Sequence, residues 1–313
     1  MKAIICTKYG PPEVLVLGEV AKPIPKDNEV SIKVYATTVN SGDCRMRGFD
    51  LSGVPLFQKI IGGLILGITL GIFKPRNPIL GLWLAGEIEI VGKSVKRFHV
   101  GEKVYARTPD MKFGAYAEYA CLPENGYLVL MPSNCSYDEA IAIPFGGLTA
   151  LFFLKKGNIE KGNKVMIYGA SGAVGSAAVQ IAKYFGAEVS GVCSTANIDL
   201  VRALGADRII DYTKDDLRSE NGEFDIIFDA VGKITYSKAK SWLKPDGKFL
   251  SVLTSGHAKP GVQELRFLTE LVESGKVIPV IDRKYDFEQM AEAHRYVEEG
   301  HKKGNVVITL KHN

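Results

Sequence analysis

Metal-ligating residues are scarce in this chain. Its 313 residues include only five cysteines and five histidines. Cys6, Cys44, Cys121, Cys135 and Cys193 lie far apart, with no Cys-x-x-Cys pair and no histidine at ligand spacing, so no zinc ribbon or finger can be built. An odd number of dispersed thiols predicts reduced cysteines and a cytoplasmic protein rather than a disulfide-stapled secreted one. The start, Met1-Lys-Ala-Ile-Ile-Cys-Thr-Lys, lacks the apolar core and cleavage site of a signal peptide, and export is not expected. Also missing is a block of one charge. The 39 basic and 35 acidic residues are interspersed to a net +4, without aromatic–basic interleaving, which argues against nucleic acid as a partner.

Long apolar runs are nearly absent too. The one exception, residues 54–73, is broken by Gln58, Lys59 and four glycines, and its clean part from 60 to 73 falls short of the ~20 residues a spanning helix needs. It predicts a helical insertion that covers or lines a pocket for an apolar substrate, with membrane contact as the alternative.

What is present is enough apolar residue, 46%, for two cores. The first 122 residues read as short strands and turn residues. Val30-Ser-Ile-Lys-Val-Tyr alternates so that one face is buried, and Gly10-Pro-Pro, Pro23-Ile-Pro25, Gly86, Gly92 and Gly101 punctuate the rest. This predicts a β-barrel-like domain over 1–122. Ser136-Tyr-Asp-Glu139 is a capping-box pattern, expected to open a short helix that Pro144 interrupts.

The stretch 164–211 organises the centre of the chain. Lys164-Val-Met-Ile-Tyr168 reads as a strand, residues 169–175 as a glycine turn, and 176–185 as a helix with an apolar stripe through Ala177, Ala178, Ile181, Ala182 and Phe185. Ala170, Gly172 and Gly175 form the variant A-x-G-x-x-G between a strand and a helix, the setting in which backbone N–H groups receive a pyrophosphate. Ala173 and Val174 belong to the same cradle. The alternative is that the glycines serve only close helix–sheet packing. A second strand ends at Cys193, where an acidic residue would hold the ribose of NAD; this chain has Ser194, Thr195, Ala196 and Asn197 instead. Hydroxyls without a carboxylate predict NADP(H), although Ser194 or Thr195 also suits an N-cap. Strands over 208–211, 224–229 and 248–253, with a helix over 235–243 stopped by Pro245, complete a parallel sheet with helices on both faces over 123–275. Residues 276–313, with a helix ending at Gly300 and the strand Val306-Val-Ile-Thr-Leu, are expected to return to the first domain.

Together these residues resemble the medium-chain dehydrogenase/reductase superfamily, in its zinc-free quinone oxidoreductase (zeta-crystallin-like) branch. The resemblance rests on Met1-Lys-Ala-Ile, Tyr9-Gly-Pro-Pro-Glu-Val-Leu, Val39-Asn40 with Asp43 and Arg47-Gly48, and Phe113-Gly-Ala-Tyr-Ala-Glu-Tyr. It continues through Pro144-Phe-Gly-Gly-Leu-Thr149-Ala, Tyr168-Gly-Ala-Ser-Gly-Ala-Val-Gly-Ser, Leu204-Gly-Ala-Asp, Ile210-Asp-Tyr212, Ala293-His-Arg-Tyr and Lys303-Gly-Asn-Val-Val. The resemblance implies a GroES-like β-barrel domain with an inserted Rossmann domain, a doubly wound parallel α/β sheet, and an active site in the cleft between them. It implies reduction of quinones or α,β-unsaturated carbonyls by hydride from NADPH. Thr149, Val231 and Gly232, with Leu253 and Thr254 beside them, would meet the nicotinamide ribose and amide, and Tyr212 would stack near the adenosine. Asn40 would hydrogen-bond the substrate oxygen; a backbone-fixing role is its alternative.

Zinc-dependent relatives carry a cysteine where Asn40 stands, a Gly-His-Glu where Gly81-Leu82-Trp83 stands, and a four-cysteine lobe this chain lacks, so no metal is expected. Arg45 and Ile198 depart from residues common in the branch. His294 is read as structural. A small apolar carbonyl or quinone is the expected partner; the competing readings are a non-catalytic NADPH-binding or redox-sensing protein and a zinc-independent alcohol dehydrogenase-like enzyme. Only residues 254–261 separate the strand near Leu253 from the next helix, too few for a further parallel strand, which predicts a monomer or an unconventional dimer.

Overall fold

The computed structural model describes residues 1–49, 70–71, 74–109, 112–215, 222–256 and 261–312. The apolar insertion at 54–73 lies outside these residues apart from Leu70 and Gly71.

The chain opens with β1 (Lys2–Cys6), β2 (Leu15–Glu19), β3 (Glu29–Val39), α1 (Ser41–Gly48), β4 (Trp83–Val91), β5 (Lys103–Arg107), β6 (Tyr119–Pro123), β7 (Tyr127–Leu130) and α2 (Tyr137–Ile141). It continues with α3 (Pro144–Lys156), β8 (Lys164–Tyr168), α4 (Ala173–Tyr184), β9 (Glu188–Cys193), α5 (Ile198–Ala203), β10 (Arg208–Asp211), β11 (Phe224–Asp229), α6 (Tyr236–Ala239), β12 (Leu243–Ser251) and α7 (Val262–Glu273). It closes with β13 (Ile281–Asp286), α8 (Met290–Glu298) and β14 (Asn305–Thr309).

Two compact units result. The first comprises 1–131, 135–141 and 281–313; the second comprises 132–134 and 142–280. The boundary expected at 122 falls later, because β7 pairs with β5 and so belongs to the first unit. The return falls at 281 rather than 276.

In the first unit seven strands form one sheet, ordered β13-β14-β3-β4-β5-β7, with β6 also pairing β3. The alternation read in β3 holds for the core face, where Val30, Ile32 and Val34 are fully buried and Ile88, Val104, Leu128, Val306 and Ile308 join them in one core, while on the other face Ser31 is buried as well. Burying these side chains contributes on the order of 1.5–3 kcal/mol each. The capping box at Ser136 and Glu139 forms: the Ser136 N–H donates to Glu139 Oε2 at 2.8 Å, and the Glu139 N–H to Ser136 Oγ at 3.3 Å. The short helix α2 does end just before Pro144, at Ile141, and Pro144 itself opens α3 at a first-turn position where its missing N–H costs nothing.

In the second unit five parallel strands are ordered β10-β9-β8-β11-β12. Numbered from β8, this is 3-2-1-4-5, the order of a dinucleotide-binding sheet, and the chain reverses direction of growth between β8 and β11. Right-handed crossovers then send the helices to opposite faces. The helix expected over 235–243 ends at Ala239, and Pro245 lies inside β12, where an edge strand tolerates its missing donor. Among the described residues no sixth strand follows β12.

Candidate functional site

The turn after β8 is pinned from below. The N–H groups of Gly169 and Ala170 both donate to the Val192 carbonyl at 3.0 Å, and Gly169 adopts φ +80°. Gly172, in extended conformation, then caps α4. Ala173, Val174 and Gly175 follow as its first turn, whose N–H groups have no intrahelical acceptor and lie at the positive end of the helix dipole. The two glycines do different jobs. A Cβ on Gly175 would stand 2.0 Å from the Gly169 carbonyl oxygen, so glycine is required for helix α4 to approach the turn. A Cβ on Gly172 would make only an ordinary contact, 3.6 Å from the Gly169 oxygen, so no packing within the chain requires glycine in front of the helix. Packing alone explains Gly175 and does not explain Gly172.

The sheet reverses beside this turn. Asp229, fully buried at the end of β11, accepts the N–H groups of Val231 at 3.2 Å, Gly232 at 2.8 Å and Lys233 at 3.2 Å on Oδ1. Its Oδ2 accepts from Ile234 N at 3.2 Å and from Ser251 Oγ, on β12, at 3.3 Å. One carboxylate therefore shapes the whole 230–234 turn and ties it to the next strand. Val231 and Leu253 are apolar yet about half exposed, and Thr254 is exposed beside them. Gly232 holds φ +73° with Leu253 where its Cβ would be. Thr149 donates its hydroxyl to the Phe145 carbonyl at 2.8 Å, one turn back in α3, so outward it offers lone pairs only.

At the far end of the sheet Tyr212 is 51% exposed and stacks on Tyr168 with ring centres 6.4 Å apart. Ser194 Oγ and Ser171 Oγ both accept from Asn197 Nδ2, at 3.1 and 3.0 Å, which leaves the Ser194 proton to donate outward. Thr195 differs from its expected part as a phosphate donor. Its hydroxyl donates to Asp211 Oδ2, a carboxylate brought in by the neighbouring strand β10. The sequence around Cys193 holds no acid, but the fold supplies one.

In the first unit Asn40 caps α1. Its Oδ1 accepts from Gly42 N at 2.8 Å and Asp43 N at 3.2 Å, which fixes the orientation of the amide. Asn40 is 4% exposed, and its Nδ2 is a buried donor without an acceptor among the described residues. The backbone-fixing role and a free donor thus coexist, one on each side of the amide. Asn40, Asp43, Cys44 and Arg47 share one buried face of the helix at three- and four-residue steps. Arg47 pairs with Glu298 on α8. On the same helix His294 is fully buried, with Nε2 3.2 Å from the Tyr116 hydroxyl and Nδ1 3.5 Å from Cys44 Sγ. Burial, helped by the Arg47 guanidinium, holds His294 down to about 3, and burial pushes the Cys44 thiol up to about 12. Both are neutral near pH 7, as suits a buried cluster that holds α1 against α8. Burial also raises Asp43 to about 7, against the lowering pull of the hydrogen bonds from Asn40 and Tyr116.

Comparison with known proteins agrees with this geometry. A zinc-binding dehydrogenase family model matches residues 173–294, and an alcohol dehydrogenase GroES-like domain model matches 26–133. The 2-methylene-furan-3-one reductase of Solanum lycopersicum is 34% identical over 98% of this chain and 79% of its own. The chain belongs to the medium-chain dehydrogenase/reductase superfamily, in its quinone oxidoreductase branch. Another member of the superfamily, the chloroplastic NADPH-dependent alkenal/one oxidoreductase of Arabidopsis thaliana, is 32% identical over 98% of this chain and 79% of its own. The solved quinone oxidoreductase of Coxiella burnetii superposes with a TM-score of 0.82 at 26% identity, covering 99% of each chain. The zinc in one family description does not fit these residues. Asn40 has no thiolate, Leu82 and Trp83 offer no imidazole or carboxylate, and among the described residues no cluster of His, Cys, Asp or Glu could hold a metal.

Proposed function

We propose that this protein is an NADPH-dependent reductase that acts without zinc on quinones or on the β-carbon of α,β-unsaturated carbonyls. The observation that carries the reading is the turn after β8, where Gly172, a glycine that packing does not require, stands before the first-turn N–H groups of α4. That arrangement suits a pyrophosphate. The relatives named 2-methylene-furan-3-one reductase and NADPH-dependent alkenal/one oxidoreductase support the choice of chemistry.

The bound dinucleotide supplies the hydride; the protein binds, orients and polarises. Ala173, Val174 and Gly175 receive the pyrophosphate, and Ser194 donates at the adenosine ribose. The turn shaped by Asp229 presents Val231 and Gly232 to the nicotinamide beside Leu253 and Thr254. Thr149 accepts from a ribose hydroxyl. The Asn40 NH₂ donates to the substrate oxygen as negative charge develops there, and its buried setting strengthens that bond. Water supplies the remaining proton.

Five cysteines, none in a disulfide, accord with a cytoplasmic setting. The short run after β12 accords with a monomer, or a dimer not built through that strand. Following NADPH absorbance across a panel of quinones and enones tests the function directly; tight NADPH binding with no oxidation by any acceptor would favour the non-catalytic reading.

A further inference from the structure

Asp211 ends β10 in parallel register with Cys193 of β9, and the Tyr212 N–H donates to the Cys193 carbonyl at 3.1 Å. Its side chain therefore sits level with the tip of the second strand, one strand over. There it is 5% exposed and fully engaged: Oδ2 accepts from Thr195 Oγ1, and Oδ1 accepts from Thr213 N at 3.0 Å and Thr213 Oγ1 at 2.7 Å. The hydroxyls of Thr195 and Thr213 stand 2.9 Å apart.

An ionised carboxylate only accepts hydrogen bonds. Donation from Thr195 first, and from Thr213, holds the Asp211 carboxyl below the usual range, so it is ionised at neutral pH. The proton of Thr195 is thereby committed to Asp211, and toward solvent this exposed hydroxyl shows lone pairs. A ribose 2′-OH can donate to those lone pairs. A 2′-phosphate, which only accepts, is met by lone pairs and a negative charge. Asp215, whose Oδ2 accepts the Asp211 N–H at 2.8 Å, adds a second carboxylate, while Lys214 is the neighbouring cation. Ile198, where a cation would help a phosphate, is apolar. Ser194 and the Lys214 ammonium are the groups that still favour the phosphate.

We infer that Asp211 is the residue that sets cofactor selectivity, narrowing the preference for NADPH so that NADH also serves. This rests on the proposal that a nicotinamide dinucleotide binds at the turn after β8. Asp211→Asn isolates the effect. The amide oxygen goes on accepting from Thr213, the amide NH₂ donates to Thr195, and the Thr195 proton turns outward toward the phosphate.

The test is calorimetric titration of the full chain with NADPH and with NADH. In the unmodified protein both bind, with dissociation constants within about tenfold of one another, as expected where Ser194 and Lys214 favour the phosphate while Asp211 and Asp215 oppose it. D211N should tighten NADPH about tenfold or more and leave NADH unchanged or weaker, by removing the opposing charge. Thr195→Val, an exposed change that keeps the fold should D211N fail to fold, should weaken NADH several-fold without weakening NADPH. An unchanged NADPH to NADH ratio in D211N, or a T195V protein that loses NADPH more than NADH, overturns the inference while leaving the reductase reading intact. Failure of the unmodified protein to bind either dinucleotide overturns both.

Discussion

Asn40 and Asp43 cap one another. The Asn40 Oδ1 accepts the Asp43 N–H at 3.2 Å, and the Asp43 carboxylate accepts the Asn40 N–H at 2.9 Å. This reciprocal pair turns the oxygen of the Asn40 amide toward the helix and leaves its NH₂ without an acceptor among the described residues, a buried arrangement that costs about 1–3 kcal/mol until a ligand relieves it.

Asn40→Ser keeps a good cap and deletes that donor. Its melting temperature should stay close to that of the unmodified protein. Its kcat should fall roughly 10²–10³-fold, the usual effect of losing one donor to a developing oxyanion, with NADPH affinity unaltered. A variant with normal kcat would remove Asn40 from the chemistry.

Asp43 and His294 make opposing contributions to stability. Asp43 stands at about 7 in the folded protein against 3.8 unfolded, so between these values the unfolded chain has released a proton that the folded chain keeps. Its contribution is full below 3.8 and is lost as pH rises through about 7. His294 stands at about 3 against 6.5, so its contribution is full above 6.5 and is lost as pH falls toward 3. Asp43→Asn removes only the first. Urea midpoints should show the variant gaining on the unmodified protein as pH rises from 3.8 to about 7; a constant difference across that window would contradict the burial of an ionisable Asp43.

Gly172→Ala and Gly175→Ala should fail differently. The methyl at 172 has room and an ordinary backbone conformation, so the protein should fold with little change while NADPH binding weakens at least about tenfold. The methyl at 175 collides with the Gly169 carbonyl and should lower stability by about 1–3 kcal/mol or more, as overpacking does. Equal loss of stability in both variants, read by thermal unfolding, would contradict the division of labour between the glycines.

Exhaustive chelation should leave NADPH oxidation unchanged, because no thiolate, imidazole or carboxylate stands at Asn40, Leu82 or Trp83. Stoichiometric zinc in elemental analysis, lost together with activity, would refute the zinc-independent proposal.

The centre of the fold was legible because periodicity and punctuation agreed: the apolar strand at 164–168, the glycine turn and the striped helix each pointed to the same βαβ unit. In the first unit β3 was legible from alternation, whereas β7 at Tyr127–Leu130, too short to show a period, was not read as a strand. The parts that were not legible share a cause. Asp211 and Asp229 each close a strand, and a carboxylate at a strand end looks the same in sequence whether it faces water or accepts from a neighbouring loop. Only register, Asp211 beside Cys193 and Asp229 beside Ser251, reveals that they organise the tips of the sheet. The one available sign was that acids occupy the last position of consecutive parallel strands. Pro245 misled because its missing N–H forbids a helix interior and a central strand equally, while an edge strand accepts it.

The first unit is assembled from segments far apart in the chain, and this governs how it comes to be made. In its sheet β14 lies between β13 and β3, and Val306, Val307 and Ile308 are fully buried there. Val39 pairs with Val306, so β3 leaves the ribosome long before its neighbour exists. At ~5–20 residues per second the wait is on the order of tens of seconds, much longer than a sheet of this size needs to collapse. During that interval the second unit, whose strands all lie between residues 164 and 251, can fold, while residues 36–39 of β3 lack the partner that β14 will supply. Translation therefore completes the strands of the dinucleotide-binding sheet first and those of the first unit's sheet last.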